Sequence, residues 1–142
     1  MSVLVVDASV AVKWFFRSRD DEADVGAAIE LLRAVSADRL TLVQPPHFIA
    51  EVAAVLAREA PHQAAAALRD LLAVEMTLAD DPAIYGRSIA LAARFDHHVF
   101  DTLYHAVALE TEGATLVTAD RRYLRKARSA GRIAPLSSFA LS

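Results

Sequence analysis

The sequence predicts an α/β fold with three layers, in which helices cover both faces of a mainly parallel sheet of four or five strands. Short apolar runs alternate with helical segments along almost the whole chain, which is the pattern of parallel strands joined by crossover helices. The chain has 142 residues, of which 55% are hydrophobic, enough to build one core. We therefore expect a single domain over residues 1–142.

The composition excludes several classes of protein. The chain contains no cysteine, so disulfides and thiolate metal sites are excluded and a reducing cytoplasm is the expected compartment. No apolar run reaches the roughly 18 residues of a membrane-spanning helix, and the N-terminus lacks the basic region of a signal peptide, so no membrane role is expected. The formal net charge of −3 argues against a polycation that binds nucleic acid with its whole surface.

Apolar runs and prolines define the elements of the first 60 residues. Residues 3–6 (VLVV) are typical of a buried strand, and residues 8–16 continue as a first helical stretch. An amphipathic helix is expected over residues 22–36 and a second strand at residues 41–44. The Pro-Pro pair that follows opens a helix over residues 47–60, because the N–H that proline lacks has no partner in a first turn.

The remaining predicted elements alternate in the same way. Proline separates or starts the two helices after residue 60, and glycine ends the two helices after residue 100. In chain order they are a helix at 62–74, a weak strand at 76–79, helices at 82–94 and 101–112, a strand at 114–120, a basic helix at 120–131 and a short strand at 133–137.

Two acidic residues stand where an apolar strand ends. Asp7 directly follows the first strand, and Asp120 closes the strand at 114–120. Sites in open α/β sheets lie at the carboxyl ends of strands, where the strand order reverses, so these two carboxylates are expected to converge. A buried charge costs several kcal/mol unless it is paired, and neither a helix cap nor an adjacent base explains Asp7.

Two further carboxylates have apolar helical surroundings. Glu51 lies within FIAEVAAVL, and Asp101 precedes LYHAVAL. Simpler interpretations exist, because Asp101 and Asp120 are both suitable helix N-caps and Glu51 can be a partly exposed helix residue. Taken together, however, the four acids suit a hard divalent ion that prefers oxygen ligands, Mg²⁺ or Mn²⁺. Such an ion would relieve the repulsion among carboxylates, activate water and shield a phosphodiester.

The four acids lie in four longer stretches of the sequence: VVDASVAVKWF at 5–15, PPHFIAEVAAVL at 45–56, VFDTLYHAVALE at 99–110 and LVTADRRYLRKA at 116–127. In their order and spacing these stretches resemble the PIN domain family, and more closely its VapC-type toxins. The resemblance implies a PIN-like fold and a divalent-metal-dependent endoribonuclease, the toxin of a type II toxin–antitoxin pair.

The resemblance also implies roles for individual residues. The family's catalytic and metal-binding acidic quartet is matched by Asp7, Glu51, Asp101 and Asp120. Ser9 and Thr118 match hydroxyl positions that form hydrogen bonds to ligands or water beside the metal. A metal-activated water would hydrolyse RNA to a 5′-phosphate and a 3′-hydroxyl. The implied partners are RNA, a cognate antitoxin that covers an apolar groove and the active site, and a second copy in a homodimer.

Two positions depart from the family's pattern. The residue three after the helix glutamate is often Asn in the family and is Ala54 here. The segment Asp96-His97-His98 replaces the usual short glycine-containing turn. Both departures concern hydrogen bonding around the site and the choice of substrate, and all four carboxylates are retained.

Basic residues on two predicted helices are candidates for RNA binding. Arg121, Arg125 and Arg128 recur at spacings of four and three, so they share one face of the basic helix. This face either contacts RNA phosphates or is a solvated surface. Lys13 on the first helix is a second candidate.

The histidines do not predict a zinc site. His97, His98 and His105 lack a zinc-binding spacing such as H-E-x-x-H, and an adjacent pair is poorly placed to share one ion. We expect loop or structural roles for all three.

Two other functions are alternatives to the nuclease. A phosphotransfer enzyme related to haloacid dehalogenases would use Asp7 as nucleophile, but such enzymes carry a second aspartate where this chain has Ser9. A catalytically weak PIN-like module that binds RNA or protein would keep the fold, although it would have no need of the intact quartet.

Overall fold

The computed structural model describes residues 2–16 and 22–138, and the elements below refer to these ranges. The strands are β1 (Ser2–Val6), β2 (Leu40–Gln44), β3 (Thr77–Leu78), β4 (Ala114–Thr118) and β5 (Ile133–Pro135). The α-helices are α1 (Ala8–Ala11), α2 (Glu22–Ser36), α3 (Phe48–Glu59), α4 (Ala64–Leu72), α5 (Pro82–Phe95), α6 (Val99–Glu110) and α7 (Arg121–Ala127). Short 3₁₀ turns cover Val12–Trp14, Arg128–Ala130 and Leu136–Ser138.

The five strands form one sheet in the order β3-β2-β1-β4-β5, and every neighbouring pair is parallel. This confirms the predicted α/β fold. β1 lies at the centre, and its residues Leu4, Val5 and Val6 are buried, as expected for a parallel strand covered on both faces. The strand order reverses between β1 and β4, so the carboxyl ends of these two strands border a crevice where ligands bind in open α/β sheets.

Helix α6 is the most deeply buried helix segment beside this crevice. Its residues from Thr102 to Ala108 are all buried, and it packs against α5, β1 and β4. His105 on this helix is buried between a hydroxyl and a carbonyl: its Nδ1 lies 2.8 Å from the Tyr123 hydroxyl and its Nε2 lies 2.8 Å from the Gly131 carbonyl oxygen. Burial lowers the pKa of His105. The structure therefore confirms the expected structural role of His105.

Three elements differ from the predicted ones. The helix predicted over residues 8–16 is α1 followed by a 3₁₀ turn that ends at Trp14. β3 has only two residues. α6 begins at Val99 with His98 as its N-cap, so the simpler interpretation of Asp101 as an N-cap is wrong. The helix begins earlier because Asp96 ends α5 in the left-handed conformation, with φ of 51°, and turns the chain back at once.

Within residues 2–16 and 22–138, no helix is both long enough and apolar enough to cross a membrane.

Candidate active site

A cavity of about 280 Å³ lies at the carboxyl ends of β1 and β4, and all four predicted acidic residues line it. They come from four different elements. Asp7 directly follows β1, Glu51 lies in the first turn of α3, Asp101 lies in the first turn of α6, and Asp120 is the N-cap of α7. Residues separated by up to 113 positions thus meet because the sheet brings their elements to one edge.

Asp7 is held by two hydroxyl groups. The Ser9 hydroxyl donates to one carboxylate oxygen of Asp7, and the Thr118 hydroxyl donates to the other. Burial raises the pKa of Asp7 to about 6; the hydroxyl hydrogen bonds lower this pKa, and the charges of Asp101 and Asp120 raise it. The two hydroxyls also tie the site together, since Ser9 accepts from the backbone of residue 119 and Thr118 accepts from the backbone of Asp120.

Glu51 is oriented by a buried tyrosine that the sequence analysis did not single out. The Tyr104 hydroxyl donates to Oε1 of Glu51 over 2.6 Å. Burial, and then the bond to Glu51, raise the pKa of Tyr104, so the phenol keeps its proton and remains a donor. In the sequence Tyr104 stands inside the apolar run LYHAVAL, where it looks like a core residue. Its position three residues after Asp101, on the same side of the helix, was the available signal.

The Asp101 carboxylate lies beside two adjacent histidines, one of which forms a hydrogen bond to it. Nε2 of His97 lies 2.7 Å from Oδ2 of Asp101, and Nε2 of His98 lies 3.1 Å from the same oxygen. The two rings are stacked with centroids 4.9 Å apart. Ligand atoms of these three residues all lie within 4.8 Å of one another, a spacing that can hold a metal ion. An adjacent pair was expected to share one ion poorly. Here the tight turn at Asp96 stacks the two rings and brings both beside Asp101.

Asp120 both caps helix α7 and lines the carboxylate cavity. Its Oδ1 accepts from the backbone N–H of Tyr123 over 3.0 Å, which is the hydrogen bond of a helix N-cap. The capping interpretation of Asp120 is therefore confirmed. The cap uses only one carboxylate oxygen, so it does not prevent the other from binding a ligand.

The four carboxylates that line the cavity supply the oxygen donors that a hard divalent cation prefers. Among the described residues, His97, His98 and Asp101 are the group whose ligand atoms already lie within reach of one ion. Three of the four carboxylates keep an oxygen that forms no hydrogen bond to another described residue: Oε2 of Glu51, Oδ1 of Asp101 and Oδ2 of Asp120. The opposite oxygen of each is held by a neighbour, so the carboxylates are already oriented. An oxygen-only donor set of this kind suits Mg²⁺ or Mn²⁺ better than a soft metal.

Gln44 is a second residue that sequence reasoning missed. It is fully buried at the end of β2, where its Oε1 accepts from the Val6 N–H over 2.8 Å and its Nε2 donates to the Val6 carbonyl over 2.7 Å. The backbone pairing of β1 with β2 extends only to Leu4. The glutamine side chain therefore replaces a strand partner and fixes the backbone immediately before Asp7. A polar residue closing the apolar strand LTLVQ was the available signal.

The predicted RNA-binding residues differ in exposure. Arg121, Arg125 and Arg128 are exposed on and just after α7. Lys13 is buried. Their role in RNA binding stays a prediction.

Other basic side chains border the acidic residues directly. Arg58 lines the carboxylate cavity itself. A second cavity of about 570 Å³ shares Asp101 and Asp120 with the first, and Arg122 and Lys126 line it. Ala54, at the position where the family often has Asn, lines the carboxylate cavity with a methyl group and offers no hydrogen bond there.

Comparison with known proteins gives a family and a fold. The model of the PIN domain family matches residues 4–129. The crystal structure of PAE2754 from Pyrobaculum aerophilum is similar to this chain with a TM-score of 0.64 and 20% identity, over 96% of this chain and 91% of that chain. At this identity the similarity shows the fold alone. A comparison with curated proteins gives no match.

Proposed function

Because the chain belongs to the PIN domain family, whose members are generally metal-dependent nucleases, we propose that it is an endoribonuclease that uses Mg²⁺ or Mn²⁺. The observation that carries the proposal is the convergence of four carboxylates from four elements on one cavity. Carboxylates gathered in this way repel one another unless a cation offsets their charge. A divalent ion bound there would activate a water molecule and offset the charge of a phosphodiester under in-line attack.

Neighbouring side chains orient the carboxylates of this site through hydrogen bonds. Tyr104 and His97 each hold one oxygen of a carboxylate, and the hydroxyls of Ser9 and Thr118 hold Asp7. Preorganised ligands of this kind lower the reorganisation that binding and catalysis require. The metal-binding and catalytic roles of the four acids are part of the proposal.

Two arginines support RNA as the substrate. Arg58 lines the carboxylate cavity, and Arg122 lines the adjoining one. The guanidinium group binds phosphate oxygens in pairs, so we assign these two side chains to phosphates on either side of the scissile bond. The exposed Arg121, Arg125 and Arg128 extend this basic surface along α7.

RNA cleavage by the purified protein tests the proposal. We expect cleavage with Mn²⁺ or Mg²⁺, none with chelator, and a loss of roughly 100-fold or more in Asp101→Asn, which removes a charged ligand. Asp70→Asn on the exposed face of α4 removes the same charge elsewhere and is the matched control. Equal cleavage by wild type and Asp101→Asn would reject the proposed centre. Binding of Mn²⁺ without cleavage of any RNA would favour a binding module.

We further propose that the protein is the toxin of a type II toxin–antitoxin pair, with a cognate antitoxin and a second copy as partners. The support is the resemblance of four motifs to VapC-type toxins, together with apolar side chains at the surface. Half-buried Phe15 and Phe16 line a cavity beside α3, and Tyr85 and Ile89 are exposed on α5. An antitoxin segment in the first region and a second copy in the other would cover them.

Expression in a bacterial host tests the toxin role separately from the chemistry. We expect growth arrest by the wild type and normal growth with Asp101→Asn at the same protein level. Normal growth with an active wild-type nuclease would reject the toxin role and leave the nuclease assignment unchanged.

A further inference from the structure

We propose that Lys126 and His97 form a hydrogen-bonded chain that orients the Asp101 carboxylate, which makes His97 a positioning residue of the active site. The inference rests on the proposed function, because it takes Asp101 as a metal ligand. The Asp96-His97-His98 segment, where this chain departs from the family's usual turn, would then help to orient the site together with Lys126 of α7.

Three contacts define the chain. Nζ of Lys126 donates to the carbonyl oxygen of Asp96 over 2.9 Å and lies 3.3 Å from Nδ1 of His97. Nε2 of the same imidazole lies 2.7 Å from Oδ2 of Asp101. The His97 side chain is only 8% exposed, and its ring packs on Tyr123 with centroids 4.9 Å apart. Water therefore competes little for either ring nitrogen.

The chemistry of the lysine fixes the direction of these hydrogen bonds. An ammonium group has three donors and no acceptor, so Nδ1 of His97 must accept from Lys126. The ring proton then resides on Nε2, which donates to Asp101. With Oδ2 occupied in this way, Oδ1 is the oxygen of Asp101 that remains for a cation.

The same side chains could instead bind a metal themselves, since the ligand atoms of His97, His98 and Asp101 lie within 4.8 Å of one another. A metal on Nε2 of His97 would move the ring proton to Nδ1, where it would face the ammonium of Lys126. Metal-bound histidines usually donate that proton to a carboxylate or a carbonyl oxygen. The cation at this position therefore favours the orienting role over ligation.

His98 provides a matched comparison within the same turn. Its Nε2 lies 3.1 Å from the same Asp101 oxygen, but its side chain is 64% exposed. Solvent competes with an exposed polar contact of this kind, so His98 should contribute much less than His97.

Binding of Mn²⁺, followed by electron paramagnetic resonance of the free ion, is the first test. His97→Leu is expected to raise the Kd roughly 10- to 100-fold, the range found when a group supporting a metal ligand is removed. His97→Gln, whose amide can still donate to Asp101, is expected to recover most of this loss, which packing on Tyr123 alone would not explain. His98→Asn is expected to change the Kd by less than about fivefold.

A double-mutant cycle tests whether Lys126 acts through His97. Lys126→Met should raise the Kd on its own, whereas Lys126→Met combined with His97→Leu should match His97→Leu alone within about twofold. Arg69→Met, an exposed position on α4, removes the same charge and should leave the Kd unchanged. If the increases in Kd caused by Lys126→Met and by His97→Leu instead multiply in the double variant, the two residues act independently and the proposal is overturned.

Two spectra test the chain without reference to activity. In the metal-free wild type, long-range ¹H–¹⁵N correlations should identify Nδ1 of His97 as the nitrogen without a proton. In the Mn²⁺-loaded protein, electron spin-echo modulation from an imidazole nitrogen bound to the ion would overturn the proposal in favour of ligation. If the wild type binds no Mn²⁺, the proposed function fails, and the metal-free spectrum still decides whether the hydrogen-bonded chain exists.

Discussion

Asp7 carries a carboxylate in a position where burial disfavours its charge. It ends the central strand, and burial raises its pKa to about 6 even though two hydroxyls donate to it. Between pH 3.8 and about 6 the folded protein binds a proton that the unfolded chain releases, so the free energy of unfolding falls as the pH rises through this range. The charge is thus retained at the expense of stability, which is common at functional sites.

Asp7→Asn should therefore stabilise the metal-free protein near neutral pH. A pKa raised from 3.8 to about 6 corresponds to at most about 3 kcal/mol, and an Asn side chain can still accept from one hydroxyl and donate to the other. Urea unfolding of both proteins in chelator should show the variant more stable at about pH 7.5, with the difference shrinking toward about pH 4. A variant that is less stable than the wild type at neutral pH would contradict this account of Asp7.

At the scale of single residues, the sequence predicted the acids and the hydroxyls of Ser9 and Thr118, but not the other side chains that position them. Asp7 and Glu51 stand out because a carboxylate is rare in an apolar segment. Tyr104 and Gln44 do not stand out, since an aromatic residue or an amide in a buried segment is ordinary until its partner is known. That partner lies 53 residues away for Tyr104 and 38 for Gln44.

The strand end that carries Asp7 depends on a side chain from the neighbouring strand. Backbone pairing of β1 with β2 stops at Leu4, and Gln44 supplies both hydrogen bonds to Val6 beyond that point. Because Val6 is fully buried, its N–H and carbonyl would otherwise face an apolar interior. Gln44 therefore couples β2 to the position of Asp7.

Gln44→Leu should destabilise the protein by about 3 kcal/mol, because two buried backbone groups lose their partners at roughly 1–3 kcal/mol each. Chemical denaturation measures this directly. Gln63→Leu is the matched control, since Gln63 is exposed before α4 and its side chain does not cap that helix, and it should shift stability by less than about 0.5 kcal/mol. Equal effects of the two substitutions would show that the Gln44 amide does not fix β1.

Elements were predicted best where local signals were strong. The Pro-Pro pair and the apolar run before it located β2 and α3 within a residue or two. The start of α6 was missed because Asp96 ends α5 in a left-handed conformation, which an aspartate does not signal in the sequence. The chain then reverses at once, and α6 begins at Val99, with Asp101 four residues after His97.

The whole molecule explains why residues far apart in sequence form one site. The strand order places the ends of β1 and β4 side by side, and α3 and α6 add Glu51 and Asp101 from the helical layers. The alternation of strands and helices was enough to predict that Asp7 and Asp120 converge, whereas Glu51 and Asp101 were added by their apolar surroundings and by the resemblance to the PIN domain family. The strand and helix pattern did not predict which basic residues border the site. On α7, neighbouring residues face different sides of the helix, and it is Arg122, next to the predicted Arg121, that lines the adjoining cavity.

Arg122→Gln should weaken RNA binding about equally across sequences and lower the slope of log K against log salt by about 1, as expected for one lost phosphate contact. Fluorescence anisotropy with chelator present avoids cleavage during the measurement. Arg69→Gln on α4 should leave the slope unchanged. An unchanged slope in Arg122→Gln would remove this side chain from the proposed RNA path.

The most direct test of the central claim is anomalous scattering from crystals of the protein grown with Mn²⁺. We expect an anomalous peak in the cavity bounded by Asp7, Glu51, Asp101 and Asp120, bonded to carboxylate oxygens. A cavity without a peak, or a peak bonded to His97 and His98 while the four carboxylates hold none, would contradict the assignment of these acids as the metal centre.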